Sequence, residues 1–177
     1  MRPILLGTVH VNVRPGRRSQ GLMRAGSWFV PVALGRAGVK ANKREGDGAT
    51  PRGSFRPLRL WWRADRMPRP PTALPARRIG RADAWSEDPA DRRYNRPFRR
   101  STNEPGDWLW RDDGLYDALI EIDHNTRPRV AGRGSAVFVH VARPGLTPTA
   151  GCIALHPRDL RLLLGRIGRK TRIIVHN

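Results

Sequence analysis

The chain has 177 residues, enough for one domain (1–177) with a core of ordinary size, and its 34 Lys and Arg against 15 Asp and Glu give a formal charge of +19. With 18 Gly and 16 Pro, long helices are excluded in favour of short strands joined by turns. No run approaches the ~18 apolar residues of a membrane-spanning helix, and the single cysteine rules out an internal disulfide while leaving a free thiol.

Such charge implies a polyanionic partner or environment. The arginines are spread along the chain and no nucleic-acid motif accompanies them, so nucleic acid is not the expected partner. Anionic wall polymers, or the anionic outer face of a membrane, suit the same charge.

Residues 5–13 alternate and predict a first strand. The apolar run from Ile4 is interrupted by His10 and Asn12, and no small-residue cleavage site follows, so residues 1–13 read as a strand rather than a secretory leader. Arg14-Pro15-Gly16-Arg17 predicts a turn. Residues 21–33 contain Trp28-Phe29-Val30, with Pro31 marking an edge or a bulge, which completes a hairpin or meander. In residues 43–55, Gly46-Asp47-Gly48-Ala49-Thr50-Pro51 makes a glycine-rich turn bent by Pro51, and a strand follows over residues 55–62. Turn chemistry alone accounts for these residues.

Residues 64–79 are rich in Pro and Arg, and residues 80–103 are irregular. The whole stretch 64–110 predicts one long loop or lid, of the kind that carries function in compact domains. Within it, Tyr94, Asn95 and Arg96 have the chemistry to grip a peptide carboxylate. A solvated basic loop accounts for them equally well. Trp85, Trp108 and Trp110 flank the region as groove walls or as core anchors. Residues 115–123 predict a strand closed by a turn at His124-Asn125, and residues 136–141 predict its antiparallel partner. Tyr116 and His124 are candidates to approach a cleft at the end of that hairpin. Residues 153–155 read as a short strand. Pro157 at a first helical position, Asp159 in the first turn and Gly165 past the end define a short helix with Leu160, Leu163 and Leu164 on one face. Residues 172–176 form a last strand.

The chemistry concentrates in residues 137–155. A strand runs to His140, a loop broken by Pro144, Gly145 and Pro148 follows, and a second apolar segment opens at Cys152, twelve positions after His140. The loop is long enough to bring thiol and imidazole side by side, as a cysteine nucleophile requires. Gly151 permits close backbone approach and leaves the amides at Gly151 and Cys152 available to a developing oxyanion. The competing reading of a lone cysteine is a small buried hydrophobe. The five histidines and one cysteine show no metal-ligand spacing, and no nucleotide-binding glycine loop occurs; neither metal nor cofactor is expected.

The segment from His140 to Thr149, Gly151, Cys152 and Ile153 resembles the signature of the L,D-transpeptidase catalytic domain (YkuD type). That signature has a His at a strand end followed by Ser/Thr-His-Gly-Cys. Ala150 stands where the common pattern has a second His, and Ala154 where it has Arg or Asn. Gly46-Asp47 through Thr50-Pro51, Gly53 and Phe55 is similar to a second segment of the same family. The resemblance implies a mainly β fold, a sandwich or open barrel of short strands with one or two short helices. It also implies a Cys152 thioester, formed with His140 as acid and base, that joins donor and acceptor peptidoglycan stem peptides. Thr149 would then lie beside the substrate and Arg143 would hold a donor carboxylate. The cross-link would be of the 3,3 or the 1,3 type, and water in place of the acceptor would give carboxypeptidase action. Such enzymes work in the cell envelope, outside the cytoplasmic membrane, in tension with the absence of a recognisable leader.

Overall fold

The computed structural model describes residues 4–177; residues 1–3, the start of the stretch read as a first strand, lie outside the described residues. The fold is mainly β, with a single α-helix among the described residues. Strands β1 (Thr8–Arg14), β2 (Arg17–Ala25) and β3 (Trp28–Ala33) form the expected meander. Pro31 is accommodated because the next strand over pairs with β3 only at Ala33, so no ladder needs its missing N–H.

The short pair β4 (Val39–Lys40) and β5 (Thr50–Pro51) brackets the glycine-rich turn. The strand predicted over residues 55–62 is in fact two: β6 (Gly53–Phe55) and β7 (Pro57–Trp62). The chain changes partners at Arg56, whose amide donates to Asp123 Oδ1 at 2.7 Å.

The long loop expected over residues 64–110 is the main correction. It holds β8 (Ala76–Arg78), β9 (Asp83–Trp85), β10 (Pro97–Arg99) and β11 (Asp107–Trp108). Strand β8 extends the main sheet, and β10-β9-β11 make a small sheet of their own. Strands of two or three residues are too short to display a period of two, so alternation cannot reveal them. Their placement depends on polar anchors instead. The buried Asp83 carboxylate accepts from the Gly80 amide at 2.7 Å and from Arg77 at 3.0 Å.

Strands β12 (Ala118–Ile122), β13 (Phe138–Val141), β14 (Ile153–Leu155) and β15 (Arg172–Val175), with helix α1 (Pro157–Leu164) before the last, complete the fold. β12 begins three residues later than predicted, because residues 115–117 sit in a turn. Ten strands make one mixed sheet in the order β6-β15-β1-β2-β3-β14-β13-β12-β7-β8. One apolar cluster joins Val9 and Val11 of β1 to Leu60 and Trp62 of β7 and Ile120 of β12. A sheet whose distant strands share one core is folded over on itself, as in a sandwich. Leu160, Leu163 and Leu164 of α1 are buried in that cluster. A second cluster on the other face gathers Trp61, Trp85, Leu119, Tyr116, Phe138 and Cys152.

Leu163 is fully buried. Leu163→Ala is expected to lower unfolding free energy by about 2–5 kcal/mol, from lost transfer energy plus the cavity left behind. Denaturant unfolding followed by tryptophan fluorescence measures it.

Candidate active site

The site follows from one pairing. β13 and β14 run parallel with Val139 opposite Ile153 and His140 opposite Ala154. Paired residues in a sheet project to the same face, and the period is two. Val139, Ile153 and Leu155 therefore enter the main core, while Phe138, His140, Cys152 and Ala154 face the other way. Phe138 donates its amide to Cys152 Sγ at 3.3 Å, which seats the sulfur one row from His140.

The connecting loop is braced on both sides. Its single 3₁₀ turn, Pro144–Leu146, contains Gly145 at φ 73°. Further on, Thr149 exchanges backbone bonds with Leu34 and Arg36, each at 2.9 Å. The Thr149 hydroxyl donates to the Cys152 carbonyl at 2.7 Å and accepts from the Gly151 amide at 3.1 Å. Gly151 adopts φ 149°, and a Cβ there would stand 2.8 Å from the Ala49 carbonyl oxygen. Only glycine fits both conditions.

Cys152, His140, Gly151, Thr149, Arg143 and Tyr116 line one cavity of about 380 Å³. Tyr94, Asn95, Arg96 and His124 do not. Tyr94 is buried; its hydroxyl donates to Glu45 and accepts from the Gly134 amide at 3.0 Å. Asn95 is also buried. Its Oδ1 accepts from Trp85 Nε1 at 2.9 Å and from the Ala136 amide at 3.2 Å, and its Nδ2 donates to the carbonyls of His124 and Asn125. Both side chains thus secure residues 134–136 from beneath and are shut off from any ligand. His124 contacts the Arg133 carbonyl and meets Phe55 edge-on. Arg96 is exposed away from the cavity. None of Trp85, Trp108 and Trp110 walls it either; Trp85 is core, and Trp110 lies under the Arg63 guanidinium at 3.5 Å.

The thiol and the imidazole are both held neutral. Cys152 is 8% exposed, and its Sγ–H donates to the Ala136 carbonyl at 3.2 Å. Burial pushes the thiol up to about 12, against a smaller opposing effect from the Phe138 amide. His140 is 5% exposed, and its Nδ1 lies 2.8 Å from the Val141 carbonyl. A carbonyl only accepts, so Nδ1 carries the proton and Nε2 presents a lone pair. Burial holds the imidazole down at about 4; the Val141 bond opposes this, and the Arg111 and Arg143 charges reinforce it. The Tyr116 ring meets the imidazole edge-on at 5.3 Å, and its hydroxyl donates to Asp107 Oδ2 at 2.7 Å. The cavity thus holds a neutral thiol and a neutral imidazole on one face, not a preformed thiolate–imidazolium pair.

The amides do not both serve as expected. That of Gly151 is engaged by Thr149, whereas no partner for the Cys152 amide occurs among the described residues. The sequence reading also missed charged lining residues: Arg36, Lys43, Glu45, Glu87, Asp107 and Arg111. Lys43 and Glu45 directly precede the glycine-rich turn, and that adjacency was the available signal. Glu87 and Asp107 come from the β9–β11 region, where no periodicity exists to read.

Two measurements test this electrostatics. Cys152 is expected to react with iodoacetamide at pH 7 at least ~100-fold more slowly than a free cysteine, because a thiol near 12 leaves far less thiolate than one near 8.5. Reaction at the free-cysteine rate would show a depressed thiol instead. His140, ordinarily near 6.5, is held near 4 in the folded chain, so between these values only the unfolded state takes up the proton. Stability is therefore complete above pH 6.5 and falls by roughly 3 kcal/mol as pH drops to 4. His140→Asn should remove that part of the acid dependence in denaturant titrations.

Curated proteins offer no match to the chain. The L,D-transpeptidase catalytic domain (YkuD) matches residues 8–175, from the first residue of β1 to the last of β15. With a mainly β fold and a match spanning nearly its full length, the chain belongs to the L,D-transpeptidase catalytic domain family.

Proposed function

We propose that the chain cross-links peptidoglycan stem peptides through a thioester on Cys152. The observation that carries this reading is the shared face of His140 and Cys152 at one cavity, with Nε2 of His140 left as a base. His140 takes the Sγ proton as sulfur attacks the scissile carbonyl of the donor peptide. The Cys152 amide faces the developing oxyanion. The S–C bond forms, the C–N bond breaks, and the leaving amine takes the proton from His140. An amine of a second stem peptide then attacks the thioester, gives up a proton through His140, and returns the thiol. The cross-link is of the 3,3 or 1,3 type, according to which carbonyl the cavity admits. Water in place of the amine gives carboxypeptidase action. The reading puts the protein's work at the cell envelope.

The mixed charge of the cavity suits a zwitterionic substrate. Arg143, half-exposed and held only by a 3.7 Å ion pair with Asp113, can turn to a donor carboxylate. Glu87 makes no hydrogen bond or ion pair among the described residues. Partial desolvation at the cavity mouth, with the charges of Asp107 and Glu45, pushes it up to about 7. A carboxylate of that basicity is suited to hold an acceptor ammonium and receive its proton.

Incubating the purified protein with peptidoglycan and analysing muropeptides by mass should reveal cross-linked dimers and their linkage. Cys152→Ala should abolish both dimers and the covalent adduct that a carbapenem is expected to form at Cys152. Unaltered muropeptides from wild-type protein that also forms no adduct would refute the reading. Glu87→Gln is expected to cut dimer formation about tenfold while sparing the carbapenem adduct, since only the amine step uses that carboxylate.

A further inference from the structure

The molecule is electrically divided. All of its 15 acidic residues except Asp159 lie between Glu45 and Asp123. Every ion pair among the described residues likewise falls between Lys43 and Arg143. The meander β1–β3 contains no carboxylate, and its arginines have no ion-pair partner among the described residues.

The register shows what this meander turns outward. His10 stands opposite Arg24, and Arg24 opposite Phe29; Asn12 stands opposite Leu22, and Leu22 opposite Pro31. These residues share one face, because opposed residues in a sheet project together. The opposite face of the same strands supplies Val9, Val11, Met23, Val30 and Val32 to the core. On the outward face Phe29 is 55% exposed and Leu22 41% exposed, with Pro31 open beside them. Arg14, Arg17 and Arg18 are exposed at the hairpin end, and Arg24 sits next to Phe29. The result is an apolar patch edged by unpaired guanidinium groups. None of these residues lines the catalytic cavity.

We propose that this face docks the protein on an anionic lipid bilayer. Phe29 and Leu22 enter the boundary between headgroups and acyl chains, while Arg14, Arg17, Arg18 and Arg24 pair with lipid phosphates and acidic headgroups. The charge complementarity alone would serve any polyanion. The apolar side chains decide between them: a nucleic acid or wall polymer offers Leu22 no hydrocarbon, whereas a bilayer buries it. The docking is independent of the cross-linking chemistry and needs neither Cys152 nor His140.

The test is sedimentation of the full chain with vesicles of phosphatidylcholine containing roughly one third phosphatidylglycerol, with pure phosphatidylcholine as control. Binding is expected to the anionic vesicles only, and to weaken as salt rises. Leu22→Ser with Phe29→Ser should weaken vesicle binding about tenfold and leave heparin binding unchanged. Both side chains are exposed, so a thermal melt should confirm an intact fold. Arg17→Glu with Arg24→Glu should weaken both. The proposal is overturned by failure to sediment with anionic vesicles at low salt, or by full vesicle binding of the apolar double variant. A shared loss of heparin and vesicle binding in that variant would also overturn it, and would mark the face as a general polyanion site.

Discussion

The parallel register between β13 and β14 is the constraint on which the site depends. Placing Val139 against Ile153 puts His140 and Cys152 on one face of the sheet. A slip of one residue in either strand would send one of them into the main core. Parallel neighbours are usually joined by a crossover of a dozen or more residues, commonly helical. Here the return is made by a loop that is irregular apart from one 3₁₀ turn, and Thr149 secures it at the residue before it must turn in. The glycine at 151 completes the constraint, because the Ala49 carbonyl occupies the space a side chain would need.

Burial at this point has a chemical consequence. Sulfur and imidazole are both desolvated by the aromatic packing of Tyr116, Phe138 and Trp85, and each is driven toward its uncharged form. The resting thiol and imidazole therefore hold no separated charge between them. On the proposed mechanism, proton transfer coincides with attack, when substrate fills the cavity and the amide of Cys152 meets the oxyanion. A thiol held this way is protected from adventitious oxidation and alkylation, since those reactions need thiolate. The carbonyl that holds it belongs to Ala136, at φ 49°, and that conformation is fixed by Asn95 from below. Asn95 thus positions the carbonyl that holds the resting thiol.

Charge is arranged on a larger scale than the site. The carboxylates gather between Glu45 and Asp123, a stretch that builds the small sheet and part of the cavity wall. There they neutralise arginines locally, as in the Arg63–Asp65 and Arg77–Asp83 pairs. The surplus is left on the meander, at residues that do not line the cavity. A protein divided in this way keeps its unpaired cationic charge apart from the mixed charge of the cavity lining.

Much of this was legible in the residues. Alternation and turn chemistry revealed the meander, β12, β13 and β14, and Pro157 with its leucine stripe defined α1. That His140 and Cys152 share one face and one cavity was readable because a loop of suitable length joins the two strands that carry them. Three things were decided only by tertiary structure. The small sheet in residues 83–108 has strands too short to show a period. Tyr94 and Asn95 look like surface ligand-binding groups until their hydrogen bonds to Glu45, Gly134, Trp85 and Ala136 show them to be buried. Glu87 and Asp107 reach the cavity from a distant part of the chain. Sequence dictates what a residue can do and the local conformation it prefers. Which groups share a low-dielectric cavity, and hence which are charged, is set by contacts between segments far apart in the chain, and no local pattern records those.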